Sequence, residues 1–405
     1  MTLSEELRWR GFINQTTLEN LTELDTKEWT FYHGFDASSD SQTIGNLAAM
    51  MLDLVFLRHG HKAILLAGGA TSLIGDPGGK DEERPLQSEE TIRYNVAQAE
   101  KQLRHIMRGH DFTMVNNIDW YQSMNVIAFL RDIGKHFGMS TLVQRDYIQK
   151  RIGEGGGGMS FTEFSYTLLQ GYDFLHLFNK YGCTLQLAGA DQWGNSLSGI
   201  ELIRKTHAQQ AHVITLPLVI NKATGKKFGK SEAGAIWLDE VKTSVYKFYQ
   251  FWLNIDDEGV IDYLKIYTLL SKADIDALEV KTQAAPQKRA AQKTLAYEVT
   301  KLVHSEERVN NVMKVTEVLF GNQPVASLSK QELTDLAAEI PTTHSGESVV
   351  KTLLMAGLAG SMSEAGRLIK NGGISLNGQK VTNDEVINTT PSLLKKGKNS
   401  FCLIR

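Results

Sequence analysis

The sequence predicts an α/β protein: a Rossmann-like parallel sheet, then an all-α domain, then a small α+β tail. Three observations predict it. Strand-like apolar runs alternate with helical runs over about the first 220 residues, as in a parallel sheet with helices on both faces. From Thr243 to about Thr334 no strand-like run appears. The last sixty or so residues mix both patterns, with Asn377-Gly378 as a hairpin turn.

Each element follows in order. Residues 1–30 read as a short helix, Glu5 to Arg10, and a polar connection. Phe31 to Leu47, FYHGFDASSDSQTIGNL, reads as a buried strand end, a small-residue turn and a helix start. Ile44, Leu47, Met50, Met51 and Leu54 recur at helical spacing. A helix start offers free N–H groups and partial positive charge, which suits a phosphate. Gly45 lies in that first turn, where a missing Cβ lets a flat ring approach the backbone. The same stretch also fits an ordinary strand-to-helix turn.

His61 to Ala67 is apolar enough for a buried parallel strand and opens into Gly68-Gly69-Ala70-Thr71-Ser72. Its glycine spacing is not the dinucleotide fingerprint. Helices are expected over Ser88–Met107, Val126–Phe137 and Phe161–Phe178. Strands are expected over Phe112–Val115, Thr184–Ala188 and Ile214–Ile220. Gly153–Gly158 is a glycine-rich break. In the tail, Ser363 is expected to cap a helix through Ile369, which Gly372-Gly373 stops. The resulting boundaries are 1–225 for the Rossmann-like domain, 226–242 for a basic loop region and 243–335 for the helical domain. Residues 336–348 read as a linker and 349–405 as the tail domain.

Composition bounds the function. The 405 residues are 42% hydrophobic and 22% charged, as in a globular protein with a large core. A net charge of -3 supplies no global field for a polyanion, so any nucleic-acid contact needs local basic patches. Cys183 and Cys402 make neither a disulfide framework nor a zinc site. The N-terminus resembles neither a secretory signal nor a transit peptide, and no apolar run reaches membrane-spanning length. A reducing cytoplasm is the expected compartment, with no membrane partner.

Tyr166, Gln170 and Asp173 share one face of the 161–178 helix. Such a row on an apolar helix either faces solvent or binds something polar, because unpartnered burial is costly. The loop KKFGKS, Lys226 to Ser231, combines charge, glycine and hydroxyl in a way that suits polyphosphate. Read alone, it equally fits a solvated surface loop. Lys80 and Arg84 follow the glycine loop, and Asp191-Gln192 follow a strand. No Ser/His/Asp triad and no histidine pair at metal spacing is apparent.

Taken together, several blocks resemble bacterial-type tyrosyl-tRNA synthetases, which are class I aminoacyl-tRNA synthetases. These blocks are YHGFDASSDSQTIGNL, AGGATSLIGDP, NNIDW, FLRDIGKHF, SFTEFSYTLLQGYD, LAGADQWGN, KFGKS, YKFYQFW and KRAAQKTLAYEVTKLVH. SEAGRLIKNGGISLNGQKV resembles an S4-type RNA-binding module.

The resemblance implies a tyrosine–tRNA ligase that uses ATP with Mg2+, acts on tRNA(Tyr) and L-tyrosine, and works as a homodimer. It implies that Tyr32 and Asp173 hold the substrate phenol, and that Asp76, Tyr166 and Gln170 hold the α-amino group. Gln192 and Asp36 would lie near the reacting carboxylate and α-phosphate, Gly189 and Asp191 near the ribose, and Thr71 and Asn117 along the pocket. Ser38, Thr43, Gly45 and Asn46 would serve the ATP side. Lys227, Lys230 and Ser231, with Lys80 and Arg84, would grip the leaving pyrophosphate. Lys351, Arg367, Lys370, Lys380, Lys395, Lys396 and Lys398 would form a basic patch for RNA.

One departure stands out. The family's histidine-bearing element reads Thr43-Ile44-Gly45-Asn46 here, so neither end can be cationic. The rival readings are a tryptophan-specific sibling and a non-catalytic RNA-binding descendant.

Overall fold

The computed structural model describes residues 1–76, 87–153, 156–231 and 234–405. The side chains of residues 146, 147, 230 and 231 are outside that description. The chain forms two compact units, one of residues 1–243 with 254–299, the other of 244–253 with 300–405. The helical stretch 243–335 is thus divided between them.

The first unit is built on a six-stranded sheet in the order β1-β6-β5-β2-β3-β4. Its strands are β1 (Gln15–Thr16), β2 (Thr30–Phe35), β3 (Lys62–Ala67), β4 (Phe112–Asn116), β5 (Leu185–Gly189) and β6 (His212–Leu216). The five strands β2 to β6 are parallel, whereas β1 pairs antiparallel with β6 at the edge. The sheet is therefore mixed rather than wholly parallel. β6 ends at Leu216, short of the expected Ile220, because Pro217 has no N–H to continue the ladder.

The chain winds from β2 outward through β3 and β4, then crosses back to β5 on the other side of β2. The reversal lies between β2 and β5, which is where an open α/β sheet leaves a crevice beyond its strand ends. The helices around it are α1 (Leu3–Arg10), α2 (Ile44–Arg58), α3 (Gly69–Ile74), α4 (Glu89–Ile106), α5 (Phe161–Tyr181) and α6 (Trp193–His207). The helix expected to run to Phe137 stops at Asp132 and gives way to a 3-10 turn, Gly134–His136.

The alternation of β2 separates two cores. Phe31 meets Phe56 of α2 at a ring separation of 5.1 Å, while Tyr32 meets Phe174 of α5 at 5.0 Å. Tyr32, Ile64, Leu66, Phe174, Leu177 and Leu202 form one buried cluster on the α5 side.

The second unit contains a five-stranded sheet built from the tail. Its edge strand, Thr342–Thr343, comes from the stretch expected to be a linker and pairs parallel with Ser400–Ile404. Two β-branched residues suit that edge. Val315, Leu319 and Leu336 of the preceding helices pack with Leu393, Phe401 and Leu403 of this sheet. Asn377 and Gly378 both have positive φ, 50° and 84°, as a type I′ hairpin turn requires. The helix Met362–Lys370 is capped by Ser361, whose hydroxyl accepts from the Glu364 N–H, and not by Ser363.

Candidate active site

A cavity of about 960 Å³ opens at the strand ends around the β2–β5 crevice. One lobe is formed by β2 and α5. Tyr166, Gln170 and Asp173 all line it, so the polar row on α5 faces the cavity rather than solvent. Tyr32 lines it as well, fully buried, and its hydroxyl has no hydrogen-bond partner; neither has Gln170 Oε1.

Asp173 is buried and firmly oriented. Its Oδ1 accepts from Trp120 Nε1 at 2.9 Å, and its Oδ2 from Asn117 Nδ2 at 3.1 Å. Burial raises its pKa from 3.8 to about 7, and the hydrogen bonds from Asn117, Trp120 and Tyr121 only partly offset that. Burial, and then the Asp173 charge, push the Tyr32 phenol well above its ordinary value. The two side chains therefore act on one another across the pocket floor.

Asn117 itself is fully buried and reaches the cavity only through its partners. It donates to Thr71 Oγ1 at 3.0 Å and accepts from the Ala70 N–H at 2.7 Å. Thr71 is in the wall, so the expected pocket residue Asn117 stands one layer behind it. Gln192 Nε2 donates to Asp76 Oδ2 at 2.7 Å and accepts at Oε1 from Asn195 Nδ2 at 3.2 Å. The Tyr166 hydroxyl donates to Asp36 Oδ1 at 3.5 Å.

The other lobe lies between α2 and the ends of β5 and β6. Ser38, Thr43, Gly45, Asn46, Gly189, Asp191 and Lys227 all line it. Thr43 is the residue before α2, and its hydroxyl donates to Asn46 Oδ1 at 2.8 Å, while its N–H reaches the same oxygen at 3.0 Å. That leaves the Asn46 amide nitrogen as the donor of this pair. The Ile44 N–H is taken by Ile236 O at 3.1 Å and Thr43 and Asn46 form a capping box, so the Gly45 N–H is the donor left at the helix start. A Cβ on Gly45 would meet only Thr43 Oγ1, at 3.5 Å, so the space above it is open to a flat ring.

The basic loop returns to the same place. Leu238 N–H donates to Gln42 O at 2.8 Å, and Thr43 bridges to Trp237. Gly229 has φ 93°, and a Cβ there would lie 2.8 Å from Ile44, so glycine is required. Lys230 and Ser231 belong to a two-residue strand paired with Gly234–Ala235, but their side chains lie outside the description. Lys80, Arg84 and Gly155 of the glycine run also lie outside the described residues.

Three residues of this site were given no site role in the sequence expectations. Trp120 holds Asp173, and His33 and Asp53 face one another in the wall of the second lobe. The signal for Asp53 was present: a carboxylate inside the apolar helix run Met50–Leu57.

Among the described residues no group of three or more His, Cys, Asp or Glu could hold a metal ion, and no helix is long and apolar enough to cross a membrane. In the second unit, part of the basic tail is engaged internally. Lys395 Nζ donates to Leu319 O at 3.3 Å and Lys396 Nζ to Leu358 O at 2.6 Å, while Lys351 pairs with Glu347 at 2.7 Å.

Comparison with known proteins agrees with this geometry. The family described as tRNA synthetases class I (W and Y) matches residues 24–321, and the S4 domain matches 349–386. A tyrosine–tRNA ligase of Bacillus caldotenax is 45% identical, with all of both chains covered. One of Roseiflexus castenholzii is 42% identical over 100% of this chain and 99% of its own. A solved C-terminally truncated mitochondrial tyrosyl-tRNA synthetase of Aspergillus nidulans superposes with a TM-score of 0.70 at 29% identity, covering 79% of this chain and 94% of that one. A tryptophanyl-tRNA synthetase of Encephalitozoon cuniculi shares the fold, with a TM-score of 0.55 at 13% identity over 82% of this chain and 92% of its own. Sequence, crevice and relatives converge, and the chain belongs to the class I tRNA synthetases of the W and Y family.

Proposed function

We propose that the chain is a tyrosine–tRNA ligase, which activates L-tyrosine with ATP and passes the tyrosyl group to the 3′ end of tRNA(Tyr). The observation that carries this reading is the buried, unpartnered Tyr32 hydroxyl beside Asp173. A para-hydroxyl entering there donates to Asp173 and meets Tyr32, whereas a phenylalanine ring leaves the buried Tyr32 hydroxyl without a partner. An indole offers no hydroxyl to this pair, which argues against the tryptophan-specific sibling.

In the first step the substrate carboxylate attacks the α-phosphorus of ATP. A carboxyl oxygen–phosphorus bond forms, the bond to the bridging oxygen breaks, and pyrophosphate leaves with its electrons. The carboxylate is already ionised, so the enzyme needs no general base here. Asp76, Tyr166 and Gln170 are suited to the ammonium group, and Gln192 and Asp36 to the region of the reacting carboxylate and α-phosphate. Gly189 and Asp191 suit the ribose, and the Gly45 N–H and the Asn46 side-chain amide the phosphates. Lys227, with Lys230, Ser231, Lys80 and Arg84, would take the pyrophosphate charge as it develops. Mg2+ arrives as the counter-ion of ATP and belongs to the substrate. In the second step a hydroxyl of the terminal tRNA ribose attacks the tyrosyl carbonyl and AMP leaves. Both steps rest on positioning and charge stabilisation.

The S4 domain and the helices before it are suited to tRNA, with Arg367, Lys370, Lys380 and Lys398 as the phosphate-directed charges. Val126, Ile127, Met139 and Phe161 are exposed large apolar residues of the first unit, which fits burial in a homodimer. Sedimentation velocity tests this, and a monomer at micromolar concentration contradicts it. The free, buried Cys183 and Cys402 fit a reducing cytoplasm.

Amino-acid-dependent exchange of pyrophosphate into ATP tests the function. Tyrosine-dependent exchange supports the reading. Tryptophan-dependent exchange supports the sibling, and none with any amino acid supports a non-catalytic RNA-binding protein.

A further inference from the structure

Lys226, Lys227 and Phe228 of the basic loop form the second arm of a short hairpin. The Phe228 N–H donates to Val219 O at 2.9 Å, Ile220 bridges antiparallel to Lys227, and the Asn221 N–H donates to Lys226 O at 2.8 Å. Both arms meet one side chain, the buried Tyr263 of the helix Val260–Tyr267. The Tyr263 hydroxyl donates to Ile220 O at 2.9 Å and accepts from the Lys222 N–H at 3.3 Å. Its ring stacks on Phe228, with centroids 4.3 Å apart and planes inclined by 24°, and Tyr267 flanks Phe228 at 5.7 Å. A Cβ on Gly259 would lie 2.6 Å from the Tyr263 ring, so glycine makes room for it. Lys222 also pairs with Asp262, the residue before Tyr263.

We infer that Tyr263 is a positioning residue for adenylate formation: it anchors the hairpin 219–228 and so holds Lys227 at the nucleotide lobe. The inference rests on the reading of the cavity as a tyrosine–tRNA ligase site.

The hydroxyl separates this role from core packing. A ring packed for its area alone needs no polar atom, whereas this one spends its hydroxyl on two backbone groups at one end of the hairpin and its face on Phe228 at the other. Burial raises the phenol pKa, so the hydroxyl stays protonated and keeps its donor. Next to Phe228, Gly229 lies against Ile44 at the start of α2. Lys227 is thus carried between the Tyr263 anchor and the helix start that serves the phosphates. It is the one lysine or arginine among the described residues of the cavity wall, which also holds Asp36, Asp53, Asp76, Asp173 and Asp191. Within so acidic a wall, the placement of that cation decides how well the charge of the leaving pyrophosphate is met. A loop ordered in advance also spares the transition state the entropy of ordering it. Tyr263 is not in the cavity wall and acts only through the loop.

The test is the single-turnover rate of tyrosyl-adenylate formation in wild type, Tyr263→Phe, Lys227→Ala and the double variant. Tyr263→Phe keeps the ring on Phe228 and removes only the hydroxyl. It lowers the rate by about tenfold, the loss of the two hydrogen bonds to the hairpin, and leaves the KM for tyrosine unchanged. In the Lys227→Ala background the same substitution changes the rate by less than about twofold, because the charge it positions is gone. A Tyr263→Phe rate equal to wild type, or losses that multiply in the double variant, overturns the inference. A second measurement needs no activity: trypsin cleavage after Lys226 and Lys227, followed by mass spectrometry, is faster in Tyr263→Phe, while cleavage elsewhere keeps its wild-type rate. Unchanged cleavage at these two lysines overturns the inference. Absence of tyrosine-dependent exchange in wild type would instead count against the ligase reading, and the cleavage rates would still decide whether Tyr263 holds the loop.

Discussion

One nitrogen of Asn117 joins two walls of the pocket: Nδ2 lies 3.0 Å from Thr71 Oγ1 and 3.1 Å from Asp173 Oδ2. Its carbonyl oxygen accepts from the start of α3. This side chain fixes the carboxylate that would read the substrate hydroxyl. Asn117→Ala leaves the Ala70 N–H buried without its partner and strips one hydrogen bond from Asp173. The expected loss is about 1–3 kcal/mol of stability, read by urea denaturation, with a raised KM for tyrosine.

Asp173 makes stability and tyrosine binding respond to pH in opposite directions. Its folded pKa, about 7, lies above the ordinary 3.8, so the folded state favours the protonated form. Its contribution to stability is therefore fully present below the unfolded value and is lost as pH rises through about 7. Tyrosine needs the ionised acceptor, so its KM rises as pH falls below about 7. Asp173→Asn removes both trends, which denaturation and exchange kinetics across this window would show.

The sequence made much of this site legible, for physical reasons that differ by residue. Tyr166, Gln170 and Asp173 are on one helix, where spacing alone places them on a common face. Gly45 and Asn46 are at a helix start whose turn residues announce it. His33 and Asp53 are on different elements and meet only because β2 lies over α2, so no local period reveals them. The two-residue strand β1 is too short to alternate. Ser361 and Ser363 both offer a cap, and Ser361 takes it: its hydroxyl accepts from the Glu364 N–H, while the Glu364 carboxylate accepts from the Gly360 N–H. Thr342–Thr343 has the composition of a linker edge and becomes a strand only because Ser400–Ile404 is beside it.

Thr43 stands where the resemblance implies a histidine. Its hydroxyl is engaged by Asn46 rather than directed at a phosphate. Thr43→His is expected to raise the single-turnover rate of tyrosyl-adenylate formation by about tenfold, the contribution of one added donor to the transition state. An unchanged or lower rate would show that the pocket is adapted to threonine.

The ion pair of Arg151 and Glu163, 2.8 Å long with side chains 6% and 3% exposed, ties the segment before the glycine run to the start of α5. Glu163 also receives the Ser160 cap. Glu163→Ala removes the carboxylate that pairs with a buried guanidinium and is expected to cost about 3–5 kcal/mol in denaturation. Glu163→Gln, which keeps the shape and the amide oxygen, is expected to cost less.

The central claim is that Tyr32 and Asp173 select a para-hydroxyl. The most direct measurement is kcat/KM for pyrophosphate exchange with tyrosine and with phenylalanine, in wild type and in Tyr32→Phe. The account predicts a strong tyrosine preference in wild type, narrowed in the variant by about one hydrogen bond, roughly fivefold to a hundredfold. Wild-type protein that activates phenylalanine as readily as tyrosine would contradict it.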